Sequence, residues 1–184
     1  METLCKMIGT RGSFIAENGG VYRVRYTGTP RIMGDQAAGR KALETLQAHF
    51  RAQGKELELY SQAYRFADLA FARSVPTAEV REVLRDHPVQ VIDTGFAIHL
   101  QTPGINKGTT LLSFAEAIGI RPEEFLAVGD SVNDVHMLET AGIGVAVANA
   151  DPATKAVAAY VTEKPYGDGF VEGVKKYSSY FRAR

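Results

Sequence analysis

The stretch that decides the fold is FLAVGDSVND at residues 125–134, where a short apolar run ends in glycine and two aspartates. The apolar residues predict a buried strand, and Asp130 and Asp134 follow it four positions apart on one turn. In open α/β sheets ligands collect beyond the carboxyl ends of the strands, and Gly129 lets the backbone approach a charged ligand. Mg²⁺ takes one or two protein carboxylates plus phosphate oxygens. The stretch therefore predicts half of a magnesium site and, with it, phosphate chemistry.

A purely structural interpretation of this turn is also open. Asp130, Ser131 and Asn133 are residue types that accept hydrogen bonds from the free amides at a helix start. Under this interpretation the turn only begins the next helix, and short motifs of this kind do match by chance. Other residues of the chain decide between the two.

Length and charge limit the classes of protein to consider. The 184 residues are enough for one core with a smaller inserted unit, and 21 basic and 21 acidic residues give a formal charge of zero. This balance argues against a broad surface for nucleic acid or for an anionic membrane. A single cysteine, no apolar run of membrane length and no signal sequence predict a soluble, cytoplasmic protein without a disulfide.

The second half of the chain shows alternating helix and strand patterns, which are typical of a parallel sheet with crossover helices. The predicted strands are 125–128, 144–147 and the edge strand 161–162, and the predicted helices cover 111–118, 133–141, 152–159 and a last helix whose apolar face is Phe170, Val174, Tyr177 and Phe181.

The middle of the chain differs, because an α-β-β order occurs twice. The predicted helices are 37–53 and 77–86, and the predicted strands are 55–60, 64–72, 89–93 and 96–101, with a tight turn at Thr94 and Gly95. We therefore expect an inserted α+β domain at 34–101. A strand and hairpin at 14–26, interrupted by ENGG at 17–20, is assigned to the core domain, which comprises 1–33 and 102–184.

Lys107 is the candidate for holding a phosphate group. It lies in PGINKG at 103–108, between the last strand of the insert and a predicted helix. A lysine ammonium beside helix amides can neutralise charge on a moving phosphoryl group. Taken alone, Lys107 would more often be a solvated surface lysine.

Together these features resemble a known superfamily. A lysine in a glycine-flanked turn, a helix, and then strand-Gly-Asp-Ser-x-Asn-Asp resemble the third and fourth motifs of the haloacid dehalogenase (HAD) superfamily. ENGG at 17–20, the insert ending in TGFAIHL at 94–100, and Ala-Asn-Ala at 148–150 are similar to the archaeal-type phosphoglycolate phosphatases, with Cof-type phosphatases as near relatives. The resemblance implies a HAD-like Rossmannoid α/β core with an αββαββ cap domain.

The resemblance also assigns roles to residues of the core. Asp130 would ligate Mg²⁺, Asp134 would ligate it or steady it through a water, and Lys107 would hold the phosphoryl group. Ser131 and Asn133 would brace the turn, with Asn133 also on the substrate side.

On the insert, Arg65 and His99 would contact the organic part of the substrate. The alternatives stay open that His99 is a core or interface histidine and that Arg65 is a surface residue.

The nucleophile that the family uses is absent from the sequence. In the resembling enzymes, an aspartate of an Asp-x-Asp motif forms an aspartyl-phosphate, and none of the eight aspartates belongs to such a motif. A strand-helix-strand unit of roughly 30 residues is expected to be missing, and magnesium binding to be weaker for it. An incompletely assigned start is the preferred explanation, and a fragment or a degenerate homologue are the alternatives.

The sequence thus predicts a Mg²⁺-dependent phosphatase of carbohydrate metabolism that hydrolyses a small phosphate monoester, with 2-phosphoglycolate as leading candidate. Its partner is a small phosphorylated metabolite, not nucleic acid or membrane, and a homodimer is left open. The rivals are a phosphomutase or phosphotransferase on the same scaffold, and a non-catalytic binding or regulatory module.

Overall fold

A computed structural model describes residues 1–181 of the chain, which form two compact units. The first unit is Met1–Ile105 and the second begins at Asn106. Residues 1–33 thus belong to the same compact unit as the insert. Their assignment to the core domain stays a prediction.

The first unit begins with a short helix and a small antiparallel sheet. Helix α1 is Glu2–Met7, and strands β1 Phe14–Ala16, β2 Val21–Arg23 and β3 Arg31–Ile32 form a sheet of order β1-β2-β3. The ENGG segment makes a tight 3-10 turn between β1 and β2, in which Glu17 and Asn18 both have a φ of 51°. Residues other than glycine rarely adopt such a φ, so other contacts must hold the turn in this conformation.

The insert consists of helices on one face of a second antiparallel sheet. Its elements are α2 Gln36–Arg51, β4 Asp68–Ala72, α3 Thr77–Val83, β5 Gln90–Asp93 and β6 Ala97–Gln101, with the sheet order β4-β6-β5. Asp35 caps α2 by accepting a hydrogen bond from the Ala37 amide at 2.8 Å. Leu46 and Phe50 of α2 pack on Phe71 and Ile98 of the sheet in one buried apolar cluster. This packing stabilises the insert through burial of apolar area.

Two predicted strands of the insert need correction. The 55–60 segment runs beside β4 but makes only an isolated bridge, Leu59 with Phe71, and the 64–72 strand begins only at Asp68. In KELELY only Leu57 and Leu59 pack on the core, because the charged residues between them stay outside it. The predicted αββαββ insert therefore has a sheet of three strands rather than four.

The second unit has the predicted parallel sheet with crossover helices. Its elements are α4 Lys107–Ile118, β7 Leu126–Gly129, α5 Val135–Thr140, β8 Ile143–Ala146, α6 Pro152–Val157, β9 Tyr160–Val161 and α7 Tyr166–Lys176. The sheet order is β7-β8-β9, with both pairs parallel. The α/β fold class is confirmed, and the edge strand predicted at 161–162 is observed at Tyr160–Val161, at one edge of this sheet.

The last helix is shorter than predicted. It ends at Lys176, and a 3-10 turn at Ser178–Tyr180 follows it, so Phe181 lies beyond the helix rather than on its apolar face. Within residues 1–181, every helix is too short or too polar to cross a membrane.

Candidate functional site

The buried Asp134 carboxylate is the centre of the site in the second unit. Its Oδ1 accepts a hydrogen bond from Lys107 Nζ at 2.5 Å, and its Oδ2 accepts from the amides of Asp130 at 3.0 Å and Ser131 at 3.2 Å. Asp134 is only 5% exposed. Charge-assisted bonds to both oxygens compensate the cost of burying the carboxylate.

Gly129 makes this arrangement possible. A Cβ atom at position 129 would lie 2.5 Å from Asp134 Cβ and 2.9 Å from its Cγ, closer than real Cβ contacts. Any other residue at the end of β7 would therefore push the Asp134 side chain away from its donors. Gly129 is thus required for close approach of the Asp134 side chain, whereas the sequence analysis assigned it to the approach of a charged ligand.

The same turn also begins a helix, as the purely structural interpretation predicts, although the capping pair is Ser131 and Asp134. Ser131 and Asp134 form a reciprocal capping box, in which each side chain accepts from the backbone amide of the other. The 3-10 turn Val132–Asp134 then continues into α5. The Ser131 hydroxyl donates to Asn133 Oδ1, which holds Asn133 in the turn. Capping therefore explains Ser131 and Asp134 but leaves the Asp130 carboxylate unexplained.

Lys107 reaches Asp134 because α4 begins close to α5. Asn106 caps α4 by accepting from the Thr109 amide at 2.9 Å. Gly108 permits the close helix contact, since a Cβ there would collide with the His136 carbonyl. The sequence analysis did not give Gly108 this role, although a glycine directly after the lysine was a usable signal.

Asp130 presents an exposed carboxylate at the end of β7. Its amide is bonded to Asp134 and its carbonyl accepts from the Asp151 amide at 3.0 Å. The backbone of Asp130 is thus fixed, while its carboxylate has no hydrogen-bond or ion-pair partner within residues 1–181. Among these residues no cluster of three or more His, Cys, Asp or Glu side chains could hold a metal ion.

This donor set fits Mg²⁺ through Asp130 alone. One exposed carboxylate is enough for an ion that keeps several waters and binds phosphate oxygens. Both oxygens of Asp134 are already occupied by donors, so Asp134 fits the role of steadying the turn better than direct ligation. Holding the turn and Lys107 is a third role beside the two that the resemblance implies, and those two stay predictions.

In the first unit, Arg65 and His99 meet on a third residue, Asp68. Arg65 Nε and Nη2 donate to the two Asp68 oxygens at 2.7 and 3.0 Å, and His99 Nδ1 lies 2.9 Å from Asp68 Oδ2. Asp68 is fully buried and the Arg65 side chain is 18% exposed. The structure therefore places His99 in a buried cluster, and Arg65 is not a free surface residue.

The cluster shifts the pKa of two of its members. Burial acts to raise the pKa of Asp68, but hydrogen bonds from His99 and Arg65 outweigh it and hold that pKa below the ordinary value. Burial acts to lower the pKa of Arg65, and the Asp68 hydrogen bond and charge raise it instead. Asp68 and Arg65 thus stabilise each other in their charged forms.

Glu17 and Gln36 hold the backbone that carries Arg65 and Asp68. The Glu17 carboxylate accepts from the amides of Phe66, Ala67 and Asp68 at 2.8 to 3.3 Å. Gln36 Nε2 donates to the carbonyls of Arg65 and Asp68, each at 2.9 Å. These contacts also explain how the strained φ at Glu17 is maintained.

The sequence analysis missed Asp68, Glu17 and Gln36. The spacing Arg-x-x-Asp at 65–68 was a usable signal for Asp68, because it places an aspartate at the start of a buried strand. Glu17 and Gln36 left no local signal, since their partners lie about 50 and 30 residues away.

Comparison with solved structures supports the fold. A crystal structure of Thermoplasma acidophilum 0175 superposes with a TM-score of 0.81 at 22% identity, covering 96% of this chain and 76% of that one. A HAD subclass IIB sugar phosphatase superposes with a TM-score of 0.77 at 17% identity, covering 96% and 79%. At these identities the likeness concerns the fold alone.

Comparison with curated sequences gives nearer relatives. A phosphoglycolate phosphatase of Methanoculleus marisnigri is 58% identical over all of this chain and 80% of its own length. A phosphoglycolate phosphatase of Methanospirillum hungatei is 46% identical over all of this chain and 79% of its own. Both relatives are named for hydrolysis of a phosphate monoester, the enzyme class predicted from the sequence.

The family profile settles the membership. The profile of the haloacid dehalogenase-like hydrolases matches residues 39–174, which is more than half of the chain. The superfamily resemblance that the motifs predicted is thereby confirmed. The chain belongs to the haloacid dehalogenase-like hydrolase family.

Proposed function

We propose that this protein is a Mg²⁺-dependent phosphatase of small phosphate monoesters, with 2-phosphoglycolate as the leading substrate. The observation that carries the proposal is the arrangement around Asp134, whose Oδ1 lies 2.5 Å from Lys107 Nζ and whose turn also presents the exposed Asp130 carboxylate. The names of the two relatives reported above support the substrate.

Lys107 is suited to hold a phosphate because its contact with Asp134 is exchangeable. The lysine side chain is 27% exposed and ends a flexible stem, so the ammonium can bind Asp134 and a phosphate oxygen together. Asp134 keeps the ammonium at the end of β7 before the substrate arrives. Such preorganised positive charge stabilises the charge that develops on a transferred phosphoryl group, by about 3 kcal/mol for one donor.

Asp130 is the chain's ligand for the metal in this proposal. Bound Mg²⁺ would supply charge neutralisation on the phosphate oxygens. The Asp130 amide and carbonyl are both hydrogen-bonded, so the carboxylate is presented from a rigid turn. Asn133, held by Ser131, lies on the same turn and is proposed to bind the substrate from that side.

Two further assignments of the proposal concern the nucleophile and the insert residues Arg65 and His99. No Asp-x-Asp occurs among the 184 residues, so the proposal assigns the nucleophile to a carboxylate outside them. The assignment of Arg65 and His99 to the organic part of the substrate stays a prediction, which their shared contact with Asp68 makes testable as a unit.

Hydrolysis of an aryl phosphate and of 2-phosphoglycolate in the presence of Mg²⁺ tests the proposal. The 184-residue chain is compared with the chain extended by any in-frame upstream codons that encode Asp-x-Asp. In whichever form is active, Asp130→Asn and Lys107→Met should each lower kcat/KM by about 10²-fold or more, since each removes charge stabilisation of the reacting phosphoryl group. Asp168→Asn is the matched control, because Asp168 is an exposed aspartate of α7, and it should leave kcat/KM unchanged.

The rival functions give different results in the same assay. Turnover equal to that of Asp130→Asn in both forms, with inorganic phosphate still binding in a Lys107-dependent way, supports a non-catalytic binding module. Transfer of the phosphoryl group to an organic acceptor, seen as a phosphorylated product without free phosphate, supports a phosphomutase or phosphotransferase. Either result would overturn the phosphatase proposal.

A further inference from the structure

The loop after β8 carries the Ala-Asn-Ala segment, which has no role in the proposed function. This β8–α6 loop comprises residues 147–151 and begins with a tight turn, in which the Ala150 amide donates to the Val147 carbonyl at 2.8 Å. Its last residue, Asp151, caps α6. The loop belongs to the second unit, as the Asp130 turn does, and it follows the strand that pairs with β7. Its contacts with that turn therefore indicate what it does.

Two amides of the loop hold the backbone on both sides of Asp130. The Val147 amide donates to the Gly129 carbonyl at 3.2 Å, and the Asp151 amide donates to the Asp130 carbonyl at 3.0 Å. One of these carbonyls belongs to the peptide unit before the Asp130 Cα, and the other belongs to the unit after it. Both units are therefore bonded to the same loop.

The amide ends of these two peptide units are held by Asp134. Its Oδ2 accepts from the Asp130 amide at 3.0 Å and from the Ser131 amide at 3.2 Å. A planar peptide unit that is bonded at its carbonyl and at its amide cannot rotate without losing a bond. Rotations of these two units about the Asp130 Cα are its φ and ψ, so both angles are fixed. The direction in which the Asp130 carboxylate leaves the backbone is fixed with them, half by Asp134 and half by the β8–α6 loop.

Asn149 ties this loop to the start of α7. Its Oδ1 accepts from the Tyr166 amide at 2.7 Å, and because an amide N–H only donates, the oxygen of the side chain must face it. Tyr166 has a φ of 52°, which residues other than glycine rarely adopt, and this bond helps to hold its backbone there. The Ala148 amide adds a second tie, to Thr162 Oγ1 at 3.1 Å. The loop is thus anchored on the α7 side as well as on the Asp130 side.

The bond to Tyr166 is what the Asn149 side chain contributes. Asn149 is exposed, so it adds little by packing. Within residues 1–181 its side chain makes no other hydrogen bond. The bond lies in the tight turn that separates the Val147 amide from the Asp151 amide. Losing it would release the middle of the loop whose two ends hold Asp130.

We propose that Asn149 is a positioning residue for Asp130 and that it acts through the β8–α6 loop. By anchoring the loop to α7, it keeps the Val147 and Asp151 amides where they hold the two peptide units. The Asp130 carboxylate is then presented in one orientation, which lowers the entropy cost of binding a cation. The role of this carboxylate as a Mg²⁺ ligand rests on the proposed function, whereas its fixed orientation does not.

The orientation of Asp130 can be measured by NMR in the full chain without metal or substrate. The three-bond coupling between the amide and α protons of Asp130 reports its φ. Asn149→Ala should shift this coupling toward the value of a freely rotating residue. Asn149→Asp keeps an oxygen for the Tyr166 amide and should leave the coupling as in the wild type. A role confined to capping α7 would change amide signals of α7 in Asn149→Ala but not the coupling of Asp130.

Mg²⁺ binding, followed through the amide shifts of Asp130 and Ser131, measures the consequence. Asn149→Ala should raise the dissociation constant by about threefold or more, because the carboxylate must then be ordered on binding. Asn149→Asp should not raise it. Since the aspartate also adds a charge, the double variant Asn149→Ala with Gly167→Asp is the matched control. It adds the same charge at the next residue of α7, where no atom lies within 4 Å of the new Cβ, and it should still bind Mg²⁺ more weakly than Asn149→Asp.

Three results would overturn the inference. They are an Asp130 coupling that Asn149→Ala leaves unchanged, a Mg²⁺ affinity that Asn149→Ala leaves unchanged, and a double variant that regains as much affinity as Asn149→Asp. A chain without measurable Mg²⁺ affinity, in which Asn149→Ala still releases Asp130, upholds the positioning role and contradicts the metal site of the proposed function. Failure of this inference and failure of the phosphatase proposal are thereby distinguishable.

Discussion

Asp68 in the insert and Asp134 after β7 are both buried carboxylates at a sheet end, but they are satisfied by different kinds of partner. Asp134 is bound by a lysine and by two amides of its own turn. Asp68 is bound by the guanidinium of Arg65 in a bidentate ion pair and by the His99 ring. The first arrangement leaves a mobile cation near solvent, and the second leaves a fixed one.

This difference follows from the chemistry of the two cations. Lysine presents a point charge on a flexible stem, and it can leave a carboxylate at little cost when it is partly exposed. Arginine binds both oxygens of a carboxylate through its planar guanidinium. When it is half-buried, leaving the carboxylate would cost it these hydrogen bonds without full solvation by water in return. A site that must exchange partners during a reaction is better built with Lys107, and a site that must keep its shape is better built with Arg65.

The largest expected effect is on stability, when each carboxylate is replaced by its amide. Asp68→Asn leaves the Arg65 charge without its partner and should cost about 3 kcal/mol in the insert. Asp134→Asn should cost about 1–2 kcal/mol in the second unit, because its amide donors keep an acceptor and Lys107 can turn to water. Native-state hydrogen exchange measures both, since it reports β4 and β6 amides separately from those of β7 and β8.

Asp93→Asn is the matched control for this comparison. Its partner Arg73 is 48% exposed, so the loss of that pair should stay within about 1 kcal/mol. The proposed contrast between a fixed and an exchangeable cation fails if Asp134→Asn destabilises its unit as much as Asp68→Asn destabilises the insert.

A smaller effect is expected when the Asp134 carboxylate is displaced rather than replaced. Gly129→Ala forces a Cβ into the Asp134 side chain and should cost about 1–3 kcal/mol, the usual range for overpacking. It should also break the contact of Asp134 with Lys107. Changes in the NMR chemical shifts of the amides of residues 107 and 130 would report this loss. Gly167→Ala is the control, because no atom lies within 4 Å of the added methyl, and it should leave both quantities unchanged.

Local patterns predicted the second unit well because its site is made by one short segment. The strand, the glycine and both aspartates lie within residues 125–134, so a reader of the sequence sees the whole turn. The contacts with Lys107 and with the Asp151 amide span longer separations, and the glycine-flanked lysine made the first of them recognisable through the resemblance.

The insert was harder to predict because its polar cluster is assembled from distant segments. Arg65 and His99 were named from the sequence, yet their shared partner Asp68 depends on the β4-β6 register. Glu17 reaches the same loop from another sheet. Charged residues at 55–60 reduced a predicted strand to one bridge, and the alternation of apolar residues alone could not show that.

The smallest expected effect is a difference in acid sensitivity between the insert, which contains Asp68, and the second unit, which contains Asp134. The pKa of Asp68 is held below its ordinary value of 3.8 in the folded insert, so its stabilising contribution is present above that value and is lost as the pH falls through the lowered pKa. As the pH falls below about 4, the stability that hydrogen exchange measures for β4 and β6 should therefore decrease in the wild type, and Asp68→Asn should make that decrease shallower. The same substitution should leave the acid response of β7 and β8 unchanged. An equally steep fall in Asp68→Asn would mean that other carboxylates of the insert, such as Asp93, whose pKa is also lowered, carry the acid sensitivity instead.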